Sequence, residues 1–181
     1  RTVANSFCYL LRLLIFSLTN LVFYLYWDFW LWLYADSPWQ PHALCMSAAA
    51  LWLWMGANFH YTSACWLHPG MVPSSPESPP CPRCSLPKPS NTRHCSTCDM
   101  FIHFMDNHCP FTGNCCGADS FVHFYLWLLY TEIGLVYASL VSTGPFFSCV
   151  LGFGGFWASS WLGIAADRCE TMGGTHPWLF I

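Results

Sequence analysis

Charge is what this sequence has least of. Only 8% of its 181 residues are Asp, Glu, Lys or Arg, whereas an ordinary soluble domain carries about 25%. That shortage excludes a freely soluble globular protein. Basic residues are scarcer than acidic ones, six against nine, for a net charge of −3, and no nucleic-acid partner is expected. In place of charge the chain carries 55% hydrophobic and 19% aromatic residues, the composition of a membrane protein. There is no initiating Met. The chain starts at Arg1 and ends in the apolar run "PWLFI", and it reads as a fragment lacking material at both ends.

A membrane crossing takes about 20 predominantly apolar residues in a helix, because the hydrocarbon core holds no water to satisfy the backbone. Four windows qualify: about 13–34, 43–67, 121–141 and 146–166. The turns between members of each pair are "ADSPWQPH" and "STGP". Neither turn contains a Lys or Arg. All six basic residues, Arg1, Arg12, Arg83, Lys88, Arg93 and Arg168, fall in the N-terminal flank, the middle segment or the C-terminal flank. Basic loops stay cytosolic, so the termini and the middle segment are expected in the cytosol. The first window is too long for a signal peptide, lacks a small-residue cleavage site and is followed by a second span. Trp27, Trp30, Trp32, Trp39 and Trp66 suit interfacial anchors. Asp28, Asn58, His60 and Glu132 are polar groups inside the spans, to be read either as pairs across helices or as functional groups.

The middle segment, 70–120, lacks the aliphatic residues that would stabilise it by burial. It opens on "MVPSSPESPP", expected to be an extended linker, and then turns to cysteine. Of the twelve cysteines in the chain, seven lie between Cys81 and Cys116, with His94, His103 and His108 among them. Cys8, Cys45, Cys65, Cys149 and Cys169 read as small core residues or lipidation sites. "CPRC" and "CSTC" have the C-x-x-C spacing that brings two thiolates of a tight turn to one tetrahedral zinc. The alternative is a disulfide-linked extracellular loop. Histidines beside both pairs, on a side carrying three basic residues, favour reduced thiols and zinc, and structural zinc contributes on the order of 10 kcal/mol to a fold of this size.

The run "CPRCSLPKPSNTRHCSTCDMFIHFMDNHCPFTGNCCGADSFVHF", Cys81 to Phe124, resembles the cysteine-rich domain of the DHHC-type protein S-acyltransferases, the integral-membrane palmitoyltransferases. The match runs through Lys88 and Pro89; Arg93, His94, Cys95 and Cys98; Asp106, His108, Cys109 and Pro110; and Asn114, Cys115, Gly117 and Phe124. "HPG" at His68 to Gly70 stands where the family has Asp-Pro-Gly. The resemblance implies an all-α membrane protein in which a small zinc-stabilised domain, 70–120, is inserted between helices 2 and 3. Residues 1–69 would hold helices 1 and 2, residues 121–166 helices 3 and 4, and 167–181 a cytosolic tail. The family's elements after the fourth helix, a Thr-Thr-x-Glu motif and a C-terminal packing motif, have no counterpart in "DRCETMGGTHPWLFI".

Carried over to this chain, the family pattern implies two zinc sites. One uses Cys95, Cys98, His108 and Cys115. The other uses Cys81, Cys84 and His94, and its fourth cysteine is replaced by Phe101, leaving water, His103 or Asp99 to complete it. The implied reaction is transfer of a fatty acyl group from palmitoyl-CoA or another acyl-CoA to cytosolic, membrane-proximal cysteines of substrate proteins, through a thioester on Cys109. Asp106 would orient the base, and Asn107 stands where the family has the histidine that takes the thiol proton. An acylation-dead zinc scaffold in the membrane is the alternative, because Asn cannot accept a proton. A membrane ubiquitin ligase has the same ligand types but fits the spacing poorly. Cys116 reads as a buried small residue or an alternative thiol. The expected setting is an endomembrane (Golgi or endoplasmic reticulum) or the plasma membrane, with membrane lipid, acyl-CoA and substrate proteins as partners.

Overall fold

The computed structural model describes residues 2–34, 40–74 and 76–149. Three long helices account for the apolar windows: α1 (Thr2–Tyr34), α2 (Gln40–Trp66) and α3 (Phe121–Cys149). Helix α1 begins well before the expected residue 13, so Arg12 lies inside it. Helix α3 runs through Ser142–Pro145, where a turn into a fourth span was expected. Within an apolar helix a proline removes one donor without ending the helix. Earlier in the helix Thr143 Oγ1 donates back to the Ser139 carbonyl at 2.6 Å, and Ser139 Oγ to that of Leu135 at 2.8 Å. The rest of the fourth window, residues 150–166, and the tail 167–181 lie outside the described residues, as do Trp39 and Cys169.

By length and composition, two described helices can cross a membrane, over Ser6–Asp28 and Phe121–Thr143. Their apolar side chains are largely exposed, as lipid contact requires. Helix α2 differs by burying a stripe, Ser47, Ala50, Leu53, Ala57, Tyr61 and Ala64. The three-and-four spacing and small side chains suit close helix packing. Gly56 continues that pattern, since a Cβ there would run into the Tyr130 ring of α3. Two of the polar span residues are paired. Asn58 Oδ1 accepts from Asn20 at 3.4 Å, and His60 Nδ1 lies 2.9 Å from His123 Nδ1.

The middle segment overturns the all-α expectation. It contains β1 (Met71–Val72), β2 (Thr92–Cys95), β3 (Met100–His103), β4 (Asn107–Cys109) and β5 (Asn114–Cys116). These form a three-stranded antiparallel sheet in the order β1-β3-β2 and a β4-β5 hairpin. Met71 and Val72 open the proline-rich stretch, so the expected linker begins as an edge strand. The strands are too short to show a periodicity, and their spacing is set by the tight turns between them. Ile102, wholly buried, packs with Cys95 and Cys115 at the centre of this small core.

The chain divides into two compact units. One comprises residues 1–21 and 55–131 and includes the whole β-rich segment. The other comprises 22–54 and 132–181, where Phe23 stacks on Trp54 with ring centroids 4.6 Å apart and Tyr137 donates to the Met46 carbonyl at 2.7 Å.

Candidate functional site

Both C-x-x-C pairs fold into the same turn despite different sequences. The Ser85 amide donates to the Cys81 carbonyl at 2.8 Å, and the Asp99 amide to the Cys95 carbonyl at 2.7 Å. Ser85 and Asp99 both sit at φ 60°, the left-handed conformation that reverses the chain after the second cysteine. Within this turn the amides converge on the first sulfur. The Cys98 N–H donates to Cys95 Sγ at 3.4 Å. Burial raises the Cys95 thiol pKa, but the Cys98 and Thr97 amides and the Cys115 thiol outweigh it and leave the group below its ordinary value. The Arg83 amide does the same for Cys81.

Each turn feeds a hairpin that supplies the remaining ligands. On β4-β5, His108 stands directly opposite Cys115. His108 Nδ1 lies 3.4 Å from Cys98 Sγ, 3.4 Å from Cys115 Sγ and 3.7 Å from Cys95 Sγ, and Cys98 and Cys115 are 3.6 Å apart. With Zn–S near 2.3 Å and Zn–N near 2.05 Å, the edges of a tetrahedral site are about 3.6–3.8 Å. The four donors therefore already stand at close to coordination spacing. The electrostatics agree. Burial and the neighbouring sulfurs push the Cys115 thiol far up, burial raises Cys98, and burial with the nearby Arg12 charge lowers His108. Cys98 and Cys115 therefore favour the protonated thiol, whereas Cys95 is the more readily ionised. A dication would supply the counter-charge for all three, and the neutral imidazole is the ligating form.

Cys81, Cys84 and His94 form the second group, their donor atoms within 4.8 Å of one another. Every member of the first group lies 14 residues after its counterpart in the second, and the same offset takes Phe101 to Cys115. The hairpins obey the same correspondence, since His94 faces Phe101 across β2-β3 as His108 faces Cys115. Phe101, 4% exposed, thus fills the fourth corner, its ring centroid 5.4 Å from that of His94. Asp99 does approach this group, with Oδ1 3.2 Å from His94 Nε2, but Asp99 and His103 are absent from both donor groups. All seven cysteines between Cys81 and Cys116 are free thiols, which removes the disulfide-loop alternative there.

The third feature shares the second hairpin. Side chains alternate along a strand, so His108 and Cys115 point toward the donor cluster, while Asn107, Cys109, Asn114 and Cys116 occupy the other face. Asn107 is exposed, whereas Cys109 is 6% exposed. Asp106 precedes the strand and pairs its amide with the Cys116 carbonyl at 2.9 Å. Its carboxylate accepts from Tyr125 of α3 at 3.3 Å. Cys116 is 2% exposed, and burial, followed by the Asp106 charge and the Cys109 thiol, pushes its pKa up to about 11. It is a protonated, buried small residue.

A family model described as DHHC palmitoyltransferase matches residues 74–161, a span that takes in nearly all of these features. Over that span, just under half of the chain, it is similar to the DHHC family. Palmitoyltransferase ZDHHC7 of Mus musculus is 35% identical over 96 residues, which is 53% of this chain and 30% of that protein. Palmitoyltransferase ZDHHC16A of Danio rerio is 35% identical over 86 residues, 45% of this chain and 22% of that protein. Palmitoyltransferase ZDHHC2 of Homo sapiens is 47% identical over 51 residues, 28% of this chain and 14% of that protein. The matches thus span less than a third of the length of these curated relatives.

Sequence reasoning named Asn114 but missed how it and other groups dock this domain on the helices. Asn114 Nδ2 donates to the Ala64 and Leu67 carbonyls at 3.0 and 2.8 Å, capping the end of α2. Tyr61 donates to the Phe111 carbonyl at 3.0 Å. Arg12 was read only as a flanking charge, and Tyr125 not at all. These contacts join positions 19–101 residues apart, and nothing in local spacing signals them.

Proposed function

We propose that this chain is the core of a protein S-palmitoyltransferase, which moves a fatty acyl group from acyl-CoA to cysteines of membrane-associated proteins. The observation that carries the reading is the β4-β5 hairpin. One face contributes His108 and Cys115 to the four-donor cluster, while the other carries Cys109, close to Tyr61 and Cys65 of α2. The domain organisation is 1–69, 70–120, 121–166 and 167–181, with the β-rich domain and both termini cytosolic in an endomembrane or plasma membrane.

Cys95, Cys98, His108 and Cys115 would hold zinc, which supplies a fixed shape to the hairpin. Cys81, Cys84 and His94 give a weaker, three-donor site. In the first half-reaction the Cys109 thiolate attacks the acyl carbonyl carbon, the carbon–sulfur bond to CoA breaks, and CoA leaves as the thiolate. In the second, a substrate cysteine thiolate attacks the Cys109 thioester and Cys109 is released. Both steps begin with loss of a thiol proton. Asp106, already accepting from Tyr125, orients this end of the strand. Asn107 can only hydrogen-bond, so the Cys109 proton passes to water rather than to a positioned base. A general base is worth about 10²–10⁴-fold, and slow acylation is the expected state of the enzyme.

Asn107 also favours a second reading, an acylation-dead zinc scaffold. Labelling the purified membrane protein with a fatty acyl-CoA probe separates the two. Hydroxylamine-sensitive label on the wild type that disappears in Cys109→Ser supports the enzyme. Equal label in both proteins, or none in either, leaves the scaffold.

A further inference from the structure

The turn that follows Cys109 stands at the same 14-residue offset as the two C-x-x-C turns and shares their left-handed residue, but it has no second cysteine. Cys109, Thr112 and Gly113 lie 14 residues after Cys95, Cys98 and Asp99. Gly113 sits at φ 57° against 60° for Asp99 and Ser85. Thr112 takes the place of the second cysteine, is 1% exposed, and its hydroxyl donates to the Cys109 carbonyl at 3.4 Å. No further ligand set continues the series, since the next offset falls in α3.

Arg12 of α1 meets this turn instead. Its Nε donates to the Thr112 carbonyl at 2.6 Å and its Nη2 to the Gly113 carbonyl at 2.8 Å. The guanidinium is flanked by the Tyr9 and Trp66 rings, 5.2 and 5.3 Å from their centroids. Tyr61 fixes the preceding Phe111 carbonyl and reaches the Arg12 carbonyl at 3.3 Å. Three successive carbonyls of one turn are thereby held by two membrane helices. The position explains the glycine as well. Ser85 and Asp99 carry a side chain at this φ, but a Cβ on Gly113 would lie 2.6 Å from Arg12 Nη2. An arginine within an apolar span, Ser6–Asp28, is costly there and is retained where it has a specific partner.

We infer that Arg12 is a positioning residue for acyl transfer, fixing the turn after Cys109, and hence the nucleophile, against α1 and α2. This rests on the acyltransferase reading only for the rate it affects. The geometric claim is tested separately. Full-length Arg12→Ala and Arg12→Lys are purified in detergent beside the wild type and assayed for zinc content, for acyl-enzyme formation from palmitoyl-CoA, and for the rate at which iodoacetamide alkylates Cys109, read by peptide mass spectrometry. Lysine keeps the charge but not the fork. Loosening the turn should uncover the buried thiol, so alkylation of Cys109 rises about 10-fold or more. Misplacement of the nucleophile slows acylation by roughly 10- to 100-fold, with the half-saturating palmitoyl-CoA concentration unchanged.

Zinc-loaded variants that alkylate and acylate within about twofold of wild type overturn the inference, as does loss of zinc from both, which makes Arg12 a general folding residue. If wild type forms no acyl-enzyme, the acyltransferase reading fails, and the alkylation rates alone decide whether Arg12 clamps the turn.

Discussion

Replacing Phe101 by cysteine should convert a one-zinc protein into a two-zinc protein. Phe101 is 4% exposed and stands directly opposite His94 on the neighbouring strand, where facing Cβ atoms are about 4.5–5.5 Å apart. A thiol there occupies the place that Cys115 holds in the complete site. Without metal the variant loses most of a buried ring. Scaled from Phe→Ala at 3–5 kcal/mol, with the sulfur filling part of the space, the cost is about 2–4 kcal/mol. With metal, the three donors Cys81, Cys84 and His94 become four. Binding free energies of complete structural zinc sites are about 10–16 kcal/mol, so even a modest fraction recovered on closing the set outweighs the lost packing. The assay is elemental analysis of the purified chain, with thermal unfolding in excess chelator and in excess zinc. Wild type should retain one zinc against a chromogenic chelator and Phe101→Cys two. The variant should melt below wild type in chelator and above it in zinc. Two zinc ions held equally tightly by wild type, or one by the variant, would refute the reading of Phe101 as a lost ligand.

Two other substitutions test the neighbouring features. Asn107→His restores an acceptor on the Cys109 face of the hairpin, and acyl-enzyme formation should rise by about 10²–10⁴-fold with zinc content unchanged; no gain would mean that the proton is not what limits the reaction. Gly117→Ala sets a methyl group against the Pro69 carbonyl oxygen and Ile102 Cγ2, and because Ile102 is wholly buried the overpacking should cost about 1–3 kcal/mol. Its melting temperature should fall, and an unchanged value would show that the loop at Pro69 yields freely.

What could be read in the sequence were features whose signal is local. Apolar length located three helices, since a run of that kind has no other stable solution in a bilayer. Two C-x-x-C pairs identified two ligand groups, since the turn they form is set by five consecutive residues. The third span, expected over 121–141, matches Phe121–Thr143, but the helix runs on to Cys149 because "STGP", a turn in water, is tolerated within an apolar helix. The strands were missed because each has four residues or fewer and is dictated by the turns beside it. The clamp on the turn after Cys109 was invisible for a different reason: Arg12 and Tyr61 find their carbonyl partners 50–101 residues away, and backbone acceptors leave no mark in a sequence.

The two departures from the family pattern act on different properties because of where the pleat places them. In "DNHC" the period of two sends His108 to the metal cluster and Asn107 with Cys109 to the opposite face. A change at 107 can therefore remove a base without touching a ligand. Position 101 is the reverse case, equivalent through the 14-residue offset to Cys115, so a change there removes a ligand and leaves the Cys109 face intact. Phe is an intelligible occupant of that corner. It is apolar, and it packs on the His94 ring. The Cys95, Cys98, His108 and Cys115 cluster, which shares the hairpin of Cys109, keeps all four donors. Loss of metal from the Cys81, Cys84 and His94 group should then loosen β2-β3 and the proline-rich approach to it, while β4-β5, held by the four-donor cluster, Asn114, Tyr61 and Arg12, keeps Cys109 in place.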